Sequence, residues 1–260
     1  MLLIDTTPES SSWKQCWVWF ADKPFRPSGY NVAIFKESYS EINSHEFNAE
    51  VFHTLWSDLL FPEDDLWGKI KKSKQRDIKI AKNRNWKISV GNSEEDIEIF
   101  SQAQLAFAQK KNLDPPIGHY VLNKNRANCL LGRVHDSENR LICWNFYILA
   151  KPIVRLWMAG SDLDYHKSDR GYATSLLHWH MMLYFKNAGF QTYDWGGVNL
   201  DPASSAYSIT EFKVGFGGNP KTFYNYYCDF SSHQNFFKKC VIKAYQLLKK
   251  MHARYIKKSP

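Results

Sequence analysis

The stretch that decides the fold is Tyr193-Asp-Trp-Gly-Gly-Val198, together with Ile209-Thr-Glu-Phe-Lys-Val-Gly-Phe-Gly-Gly218. The first part predicts the end of a buried strand over 191–195, followed by a glycine turn. The second part predicts a short helix near 209–214 that runs into another glycine-rich turn, and an aromatic-rich strand comes after it. Asp194 therefore falls at the end of a central strand, where α/β folds place their ligands.

The residues before this stretch predict a strand–helix–strand unit. A strand over 153–160 precedes a helix over 170–188, and Gly189 is placed to end that helix. From residue 86 onward the predicted order of elements is β-α-β-β-β-α-β-α-β-α. This order is typical of an α/β (α+β) sandwich, in which helices flank a mixed β-sheet.

The first 65 residues have a different pattern. Residues 12–20 and 30–36 are rich in aromatic and β-branched residues and predict strands, whereas residues 46–60 predict a helix. Residues 69–84 predict a basic amphipathic helix. We therefore expect an N-terminal subdomain over 1–65 and a main domain over 66–260.

Composition limits the class of protein. Of the 260 residues, 44% are apolar and 16% are aromatic, which predicts a substantial buried core. No run of 18 apolar residues is present, and the N-terminus lacks a basic region, so we expect neither a membrane span nor a secretory signal. The five cysteines are scattered and never spaced as Cys-x-x-Cys, which argues against a disulfide framework and a metal site. We expect a cytoplasmic protein.

Positive charge is concentrated in two blocks. Residues 233–260 contain eight Lys/Arg and no acid, which equals the net charge of +8, and residues 69–84 contain eight Lys/Arg and one acid. Such surfaces suit a phosphate-bearing partner, such as a cofactor, a nucleotide-linked sugar, tRNA or a lipid headgroup. A solvated helix face is an equally good interpretation of either block alone.

The turn Ser168-Asp-Arg-Gly-Tyr-Ala173 is a candidate phosphate site. Gly171 and the small Ala173 allow a close backbone approach, and the free N–H groups at a helix start favour an anion. Lys167 and Arg170 add two cations. A plain strand–helix turn explains the same residues equally well.

Several of these motifs, in this order, resemble the signature of the FemABX-like (peptidoglycan bridge-forming) aminoacyltransferases, relatives of the GNAT-type acyltransferases. The resemblance includes Lys74-Gln-Arg-Asp-Ile-Lys-Ile-Ala-Lys-Asn83 and Trp157-Met-Ala-Gly-Ser-Asp162, and it spans roughly residues 67–230. It implies a compact, single-domain relative with a GNAT-like sheet and a partial N-terminal remnant of a second such domain.

The resemblance implies transfer of an acyl group to an amine of a cell-envelope precursor, either an amino sugar or a peptidoglycan peptide. The donor would be acyl-CoA, held by the turn residues Lys167, Arg170, Gly171, Tyr172 and Ala173. Alternatively it would be aminoacyl-tRNA, held by the basic helices over 69–84 and 233–258. In GNAT-type folds two neighbouring parallel strands diverge around the donor, and the counterparts here are 153–160 and 191–195.

The same resemblance assigns candidate roles to single residues. Lys213 is the candidate cation for the developing oxyanion, with Phe212 beside it, and Asp194 would orient the acceptor amine or take its proton. Asp194 fits a structural role at the glycine turn equally well, and Phe212 fits the core equally well. Trp157, Trp195 and Tyr224 are the candidate substrate-binding residues.

A non-catalytic binding module is the hypothesis from a different class. In this interpretation the fold persists while the basic C-terminal helix docks on nucleic acid or on an anionic membrane. Under either hypothesis that helix is the expected point of peripheral contact with the inner face of the membrane.

Overall fold

The computed structural model of the protein describes residues 1–44, 46–114, 116–204 and 206–230. Within these residues the strands are β1 (Leu2–Asp5), β2 (Gln15–Trp19), β3 (Val32–Ser38), β4 (Glu50–Asp58), β5 (Lys87–Gly91), β6 (Cys129–His135), β7 (Leu141–Ala150), β8 (Ile153–Ser161), β9 (Thr192–Gly197) and β10 (Asn219–Asp229). The helices are α1 (Glu63–Lys69), α2 (Lys72–Lys82), α3 (Glu94–Lys110), α4 (His119–Lys124), α5 (Lys167–Asn187) and α6 (Tyr207–Val214), and a 3₁₀ turn covers Arg126–Asn128.

All of these strands belong to one mixed sheet. The strand order is β1-β2-β3-β10-β4-β9-β8-β7-β6-β5. The pairs β2–β3 and β8–β9 are parallel, and the other neighbours are antiparallel. The predicted mixed sheet flanked by helices is confirmed, and so is the strand–helix–strand unit at its centre.

The prediction of a helix over 46–60 is wrong, because residues 50–58 form the strand β4. This strand lies between β9 and β10 and pairs with both. The N-terminal residues thus supply a strand to the middle of the sheet. The division of the chain at residue 65 stays a prediction about folding units.

Two predicted helices have different ends. The basic helix predicted over 69–84 is shorter, since α2 covers Lys72–Lys82, and Lys69 is instead the last residue of α1. Helix α5 begins at Lys167, three residues before its predicted start, so Gly171 lies inside the helix. Its predicted end is confirmed, since Gly189 has a φ of +79°. Strand β1 and helix α4 were not predicted.

Helices and curled strands cover the two faces of the sheet. Apolar side chains of α2 and α5 pack on one face, and those of α3 and α4 pack on the other. On the α3 face the ring of Trp17, from β2, lies 5.1 Å from the ring of Trp157, from β8. Four strands lie between these two in the sheet order, so the sheet curls until its N-terminal edge faces β8.

No helix in the described part of the chain is long and apolar enough to cross a membrane. The predicted basic C-terminal helix over 233–258, with its proposed contact to tRNA or an anionic membrane, lies outside the described residues.

Candidate functional site

A gap opens between the parallel strands β8 and β9 at the centre of the sheet. Only three residues of each strand pair with the other, and the last pair joins Arg155 to Asp194. Beyond that pair β8 continues to Ser161 along β7, while β9 continues to Gly197 along β4. The predicted divergence of these strands is therefore present.

The side chains of the last pair bind the backbone groups that the gap leaves without ladder partners. The N–H of Gly196 donates to Asp194 Oδ1 at 2.7 Å. Across the gap, Arg155 Nη1 donates to the carbonyl of Leu156 at 2.9 Å. Since unpaired backbone groups are costly when buried, these two bonds stabilise the separated strands.

Gly196 has the backbone conformation that this turn requires. Its φ is +69°, which favours glycine. A Cβ at this position would lie 2.7 Å from the carbonyl oxygen of Leu156, closer than real Cβ atoms approach. The glycine therefore serves both the turn and the close approach of the two strands.

Two residues from the N-terminal strands complete the group around Asp194. Thr54, on β4, donates its hydroxyl to Asp194 Oδ1 at 2.5 Å. Glu37, on β3, accepts from Arg155 Nε at 2.8 Å, and its carboxyl group lies close to that of Asp194. Burial, and then the nearby Asp194, raise the pKa of Glu37 well above its usual value. Glu37 was not among the site residues predicted from the sequence.

Lys213 lies on α6, and its side chain reaches the end of β9. Its Nζ donates to the carbonyl of Gly197 at 2.7 Å, and the side chain is partly buried. Burial, and then the charge of Arg155, lower the pKa of Lys213 to about 8. An ammonium held at the mouth of the gap can stabilise negative charge that develops there.

Helix α2 contributes a second lysine beside α6. The Nζ of Lys74 lies 4.3 Å from the ring centroid of Phe212, and the N–H of Lys71 donates to the carbonyl of Gly215. These contacts hold α6 against α2, and they place the ammonium of Lys74 over the Phe212 ring. The basic helix was predicted from the sequence, whereas the position of Lys74 over Phe212 was not.

Phe212 also contacts a buried histidine. The ring of His178, on α5, lies 5.6 Å from the Phe212 ring, and its Nδ1 is 3.0 Å from the hydroxyl of Tyr193. Burial, followed by the charges of Lys213 and Lys74, lowers the pKa of His178 to about 3. His178 is therefore neutral at physiological pH and supports the site from within the core.

A cavity of about 100 Å³ lies beside the gap on the α3 face. Aromatic rings form its walls, and charged or amide side chains form the rest of its lining: Trp17, Trp19, Lys36, Glu37, Phe52, Arg155, Trp157 and Asn225. No hydrogen bond within the described residues engages Arg155 Nη2. The cavity thus offers two cations, Lys36 and Arg155, to a bound anionic group.

The three candidate substrate-binding residues lie in different places. Trp157 lines the cavity and is partly exposed. Trp195 is fully buried, and its indole N–H donates to Ser57, so substrate contact would require it to leave the core. Tyr224 packs with Tyr226 on the opposite face of β10 from the cavity residue Asn225.

The candidate cofactor residues lie in the first two turns of α5. Lys167 and Gly171 are exposed, Arg170 and Tyr172 are partly buried, and Ala173 is buried. No hydrogen bond within the described residues engages the backbone N–H groups of residues 166–169. Four N–H groups without a partner among the described residues and the exposed Lys167 suit an anion at this helix start, where the one acid of the first turn, Asp169, is paired with Arg84.

The cysteines of the described chain are poor nucleophiles. Cys16, Cys129, Cys143 and Cys228 are buried free thiols. Burial raises the pKa of each to about 12, which disfavours the reactive thiolate. In the described ranges, no three His, Cys, Asp or Glu side chains converge as they do around a bound metal.

No protein-family model matches the chain, and no curated protein sequence matches it either. Solved structures do match. The crystal structure of FemX is similar with a TM-score of 0.60 and 10% sequence identity, over 91% of this chain and 85% of that one. The chain has the FemX fold.

Two further structures share the FemX fold with this chain. L-PGS from Bacillus licheniformis matches with a TM-score of 0.52 and 11% identity, over 84% of this chain and 79% of that one. The C-terminal domain of a putative lysylphosphatidylglycerol synthetase from Agrobacterium fabrum matches with a TM-score of 0.51 and 9% identity, over 77% and 68%. The FemABX-like fold predicted from the sequence is thereby confirmed.

Proposed function

We propose that the protein is an acyltransferase that forms an amide on the amine of a cell-envelope precursor. The observation that carries the proposal is the gap between β8 and β9, with Lys213 bonded to the carbonyl of Gly197 at its mouth. Acyl transfer to an amine passes through a tetrahedral oxyanion, and a preorganised cation stabilises that charge. A neutral amine attacks without a dedicated strong base, so the site needs positioning more than basicity.

The proposed donor is acyl-CoA. The four free N–H groups at the start of α5, together with Lys167, favour the pyrophosphate of this cofactor, and α5 follows directly from β8. The acyl group would then lie along β8 toward the gap. The proposed reaction calls for no metal.

The proposed acceptor carries a phosphate as well as an amine. Lys36 and Arg155 line the cavity next to the gap, and Trp157 forms part of its wall. An aromatic wall with two cations suits a sugar or peptide fragment linked to an anionic group. One structure of the same fold is named as a domain of a putative lysylphosphatidylglycerol synthetase. The proposed location is the cytoplasmic side of the membrane.

Aminoacyl-tRNA is the alternative donor. Helix α2 and its flanking residues expose six cations on one side of the molecule: Lys71, Lys72, Arg76, Lys79, Lys82 and Arg84. An extended basic surface of this kind suits a phosphate backbone, and its affinity would fall steeply with salt.

A donor screen tests the proposal. Thermal shift and release of the free donor product would be measured with acetyl-CoA, longer acyl-CoAs and charged tRNA, each with an amino-sugar or peptide acceptor. We expect a rise in Tm and turnover with acyl-CoA, since ligand binding stabilises by mass action. Turnover with charged tRNA alone supports the alternative donor, and binding of tRNA without turnover supports the non-catalytic module.

Replacing Gly171 by aspartate should separate cofactor binding from folding. An acid near the start of α5 favours the helix dipole, and a Cβ at Gly171 meets no atom within 4 Å, so we expect Tm to stay constant or rise. The added charge repels a bound pyrophosphate, so the KM for acyl-CoA should rise about tenfold or more. Gly171→Ala, which adds no charge, is the control. An unchanged KM in the aspartate variant would place the pyrophosphate elsewhere.

A further inference from the structure

Glu37 and Asp194 are two buried carboxyl groups that meet across the sheet. The exposed fraction of Glu37 is 1%, and that of Asp194 is 0%. One oxygen of each has donors: Glu37 Oε1 accepts from Arg155, and Asp194 Oδ1 accepts from Thr54 and from the Gly196 N–H. The second oxygens, Glu37 Oε2 and Asp194 Oδ2, are buried and have no donor among the described residues.

The two carboxyl groups lie close enough that, after burial, the charge of Asp194 contributes to the raised pKa of Glu37. A hydrogen bond between two carboxyl groups requires a proton on one of them, because ionised carboxylates only accept. Two carboxylates, one guanidinium and one proton sum to zero charge, which is the state that burial favours.

We propose that Glu37 and Asp194 share one proton, and that with Arg155 they form a neutral wedge that keeps β8 and β9 apart. The members come from β3, β9 and β8 respectively. Through Arg155 and Asp194 the wedge binds the backbone of Leu156 and Gly196, which lie one and two residues beyond the last strand pair. Glu37 is thus a positioning residue that acts through the other two.

The wedge also sets the charge of the cleft. The role of that charge in catalysis rests on the proposed acyl transfer. With Glu37 protonated, Arg155 and Lys213 face the single negative charge of the carboxyl pair. The site is then net positive toward an anionic substrate group or an oxyanion. Ionised Glu37 would neutralise that positive charge.

Several other charged or titratable groups face the pair. Lys36 lies next to Glu37 on β3, Lys213 approaches from α6, and Tyr39 follows β3. Burial lowers the pKa of Lys36, lowers that of Lys213 to about 8, and raises that of Tyr39. A window from pH 5 to pH 7 therefore isolates the shared proton from these three groups.

Glu37→Gln is the decisive variant, because its amide reproduces a protonated carboxyl group. The amide oxygen can accept from Arg155, and the NH₂ can donate to Asp194. In the native protein the pKa of Glu37 is raised above its unfolded value, so the folded state holds a proton that the unfolded state releases above about pH 4.5. Native stability should therefore fall with rising pH, while that of the Glu37→Gln variant should lack this slope.

The measurement is the unfolding equilibrium constant of both proteins from pH 5 to pH 7. We expect the constant of the native protein, divided by that of the Glu37→Gln variant, to grow by up to about tenfold per pH unit. Glu50→Gln, which changes an exposed carboxyl group on β4, is the matched control. The constant of the native protein, divided by that of the Glu50→Gln variant, should not change with pH. A ratio that is independent of pH, with the Glu37→Gln variant less stable throughout, would overturn the shared proton.

A double-mutant cycle provides a second test. Asp194→Asn alone should be tolerated, since its NH₂ can donate to an ionised Glu37. Glu37→Gln with Asp194→Asn places two NH₂ groups against each other and leaves Arg155 without a negative partner, so the fall in Tm should exceed the sum of the single effects. Additive effects would contradict the wedge.

The activity readout distinguishes the wedge from the proposed function. We expect Glu37→Gln to keep kcat/KM within about threefold, and Glu37→Leu to lose more than about tenfold, mainly in kcat. If no protein, native or variant, turns over any donor, the proposed function fails while the proton linkage still decides the wedge. Equal activity of the two variants at position 37 would remove the positioning role.

Discussion

Replacement of Lys213 by methionine is expected to reduce turnover by about 100- to 1000-fold, while the protein remains folded. Methionine keeps most of the length of the side chain but removes the ammonium that donates to the Gly197 carbonyl. Loss of one preorganised donor at a developing oxyanion has an effect of this size. The measurement is kcat with the best donor of the screen, alongside Tm. Lys87→Met, at an exposed position on β5, is the control and should leave both unchanged.

The pH profile gives this prediction a second test. The pKa of Lys213 is lowered to about 8, mainly by burial. If the ammonium is the active form, native activity should decline as pH rises through 8, and the residual activity of the methionine variant should lack that decline. Activity that rises through pH 8 would assign Lys213 the role of a base. Equal activity of native and variant proteins would remove it from the mechanism.

Replacement of Gly196 by alanine is expected to lower both stability and activity strongly. A non-glycine residue at a φ of +69° costs about 1–2 kcal/mol. The new Cβ would also lie 2.7 Å from the carbonyl oxygen of Leu156, which is backbone and cannot easily move. The two strands must then shift at the place where the gap opens. We expect a total cost above about 2 kcal/mol, with a fall in kcat measured at a temperature where the variant is folded.

Gly29→Ala is the matched control for this prediction. Gly29 has a φ of +81°, and a Cβ there meets no atom within 4 Å. The Gly29→Ala variant therefore measures only the free-energy cost of placing alanine at a positive φ. The difference between the two free energies of unfolding, from chemical denaturation, measures the contact with Leu156. Equal losses in the two variants would show that this contact carries no energy.

The order of strands and helices was predicted well from residue 86 onward, because apolar periodicity is strong there. Strands β7 and β8 are near-continuous apolar runs, and the strand after α5 is bounded by glycines. The error over 46–60 has a physical cause. Leu55 and Leu59 are four residues apart, which fits a helix, and only pairing with both β9 and β10 decides for a strand.

The candidate site was predicted in part. Asp194, Phe212 and Lys213 lie together because they follow one another at the ends of adjacent elements. The motif over 193–218 contains all three, so their proximity could be predicted from the sequence. Glu37 is 157 residues away from Asp194 in sequence, and no local pattern joins them. A signal was nevertheless present: Lys36-Glu37 interrupts an otherwise apolar strand that begins at Val32. Buried charges of this kind indicate a partner elsewhere in the chain.

The position of β4 has a consequence for synthesis of the protein. Both of its neighbours, β9 and β10, leave the ribosome only after residue 191 has been made, so neither edge of β4 finds its partner until most of the chain exists. A nascent strand with two open edges is a site for wrong pairing and aggregation. Completion of the cleft is therefore a late event in folding, and early termination of translation leaves an incomplete sheet rather than a smaller working enzyme.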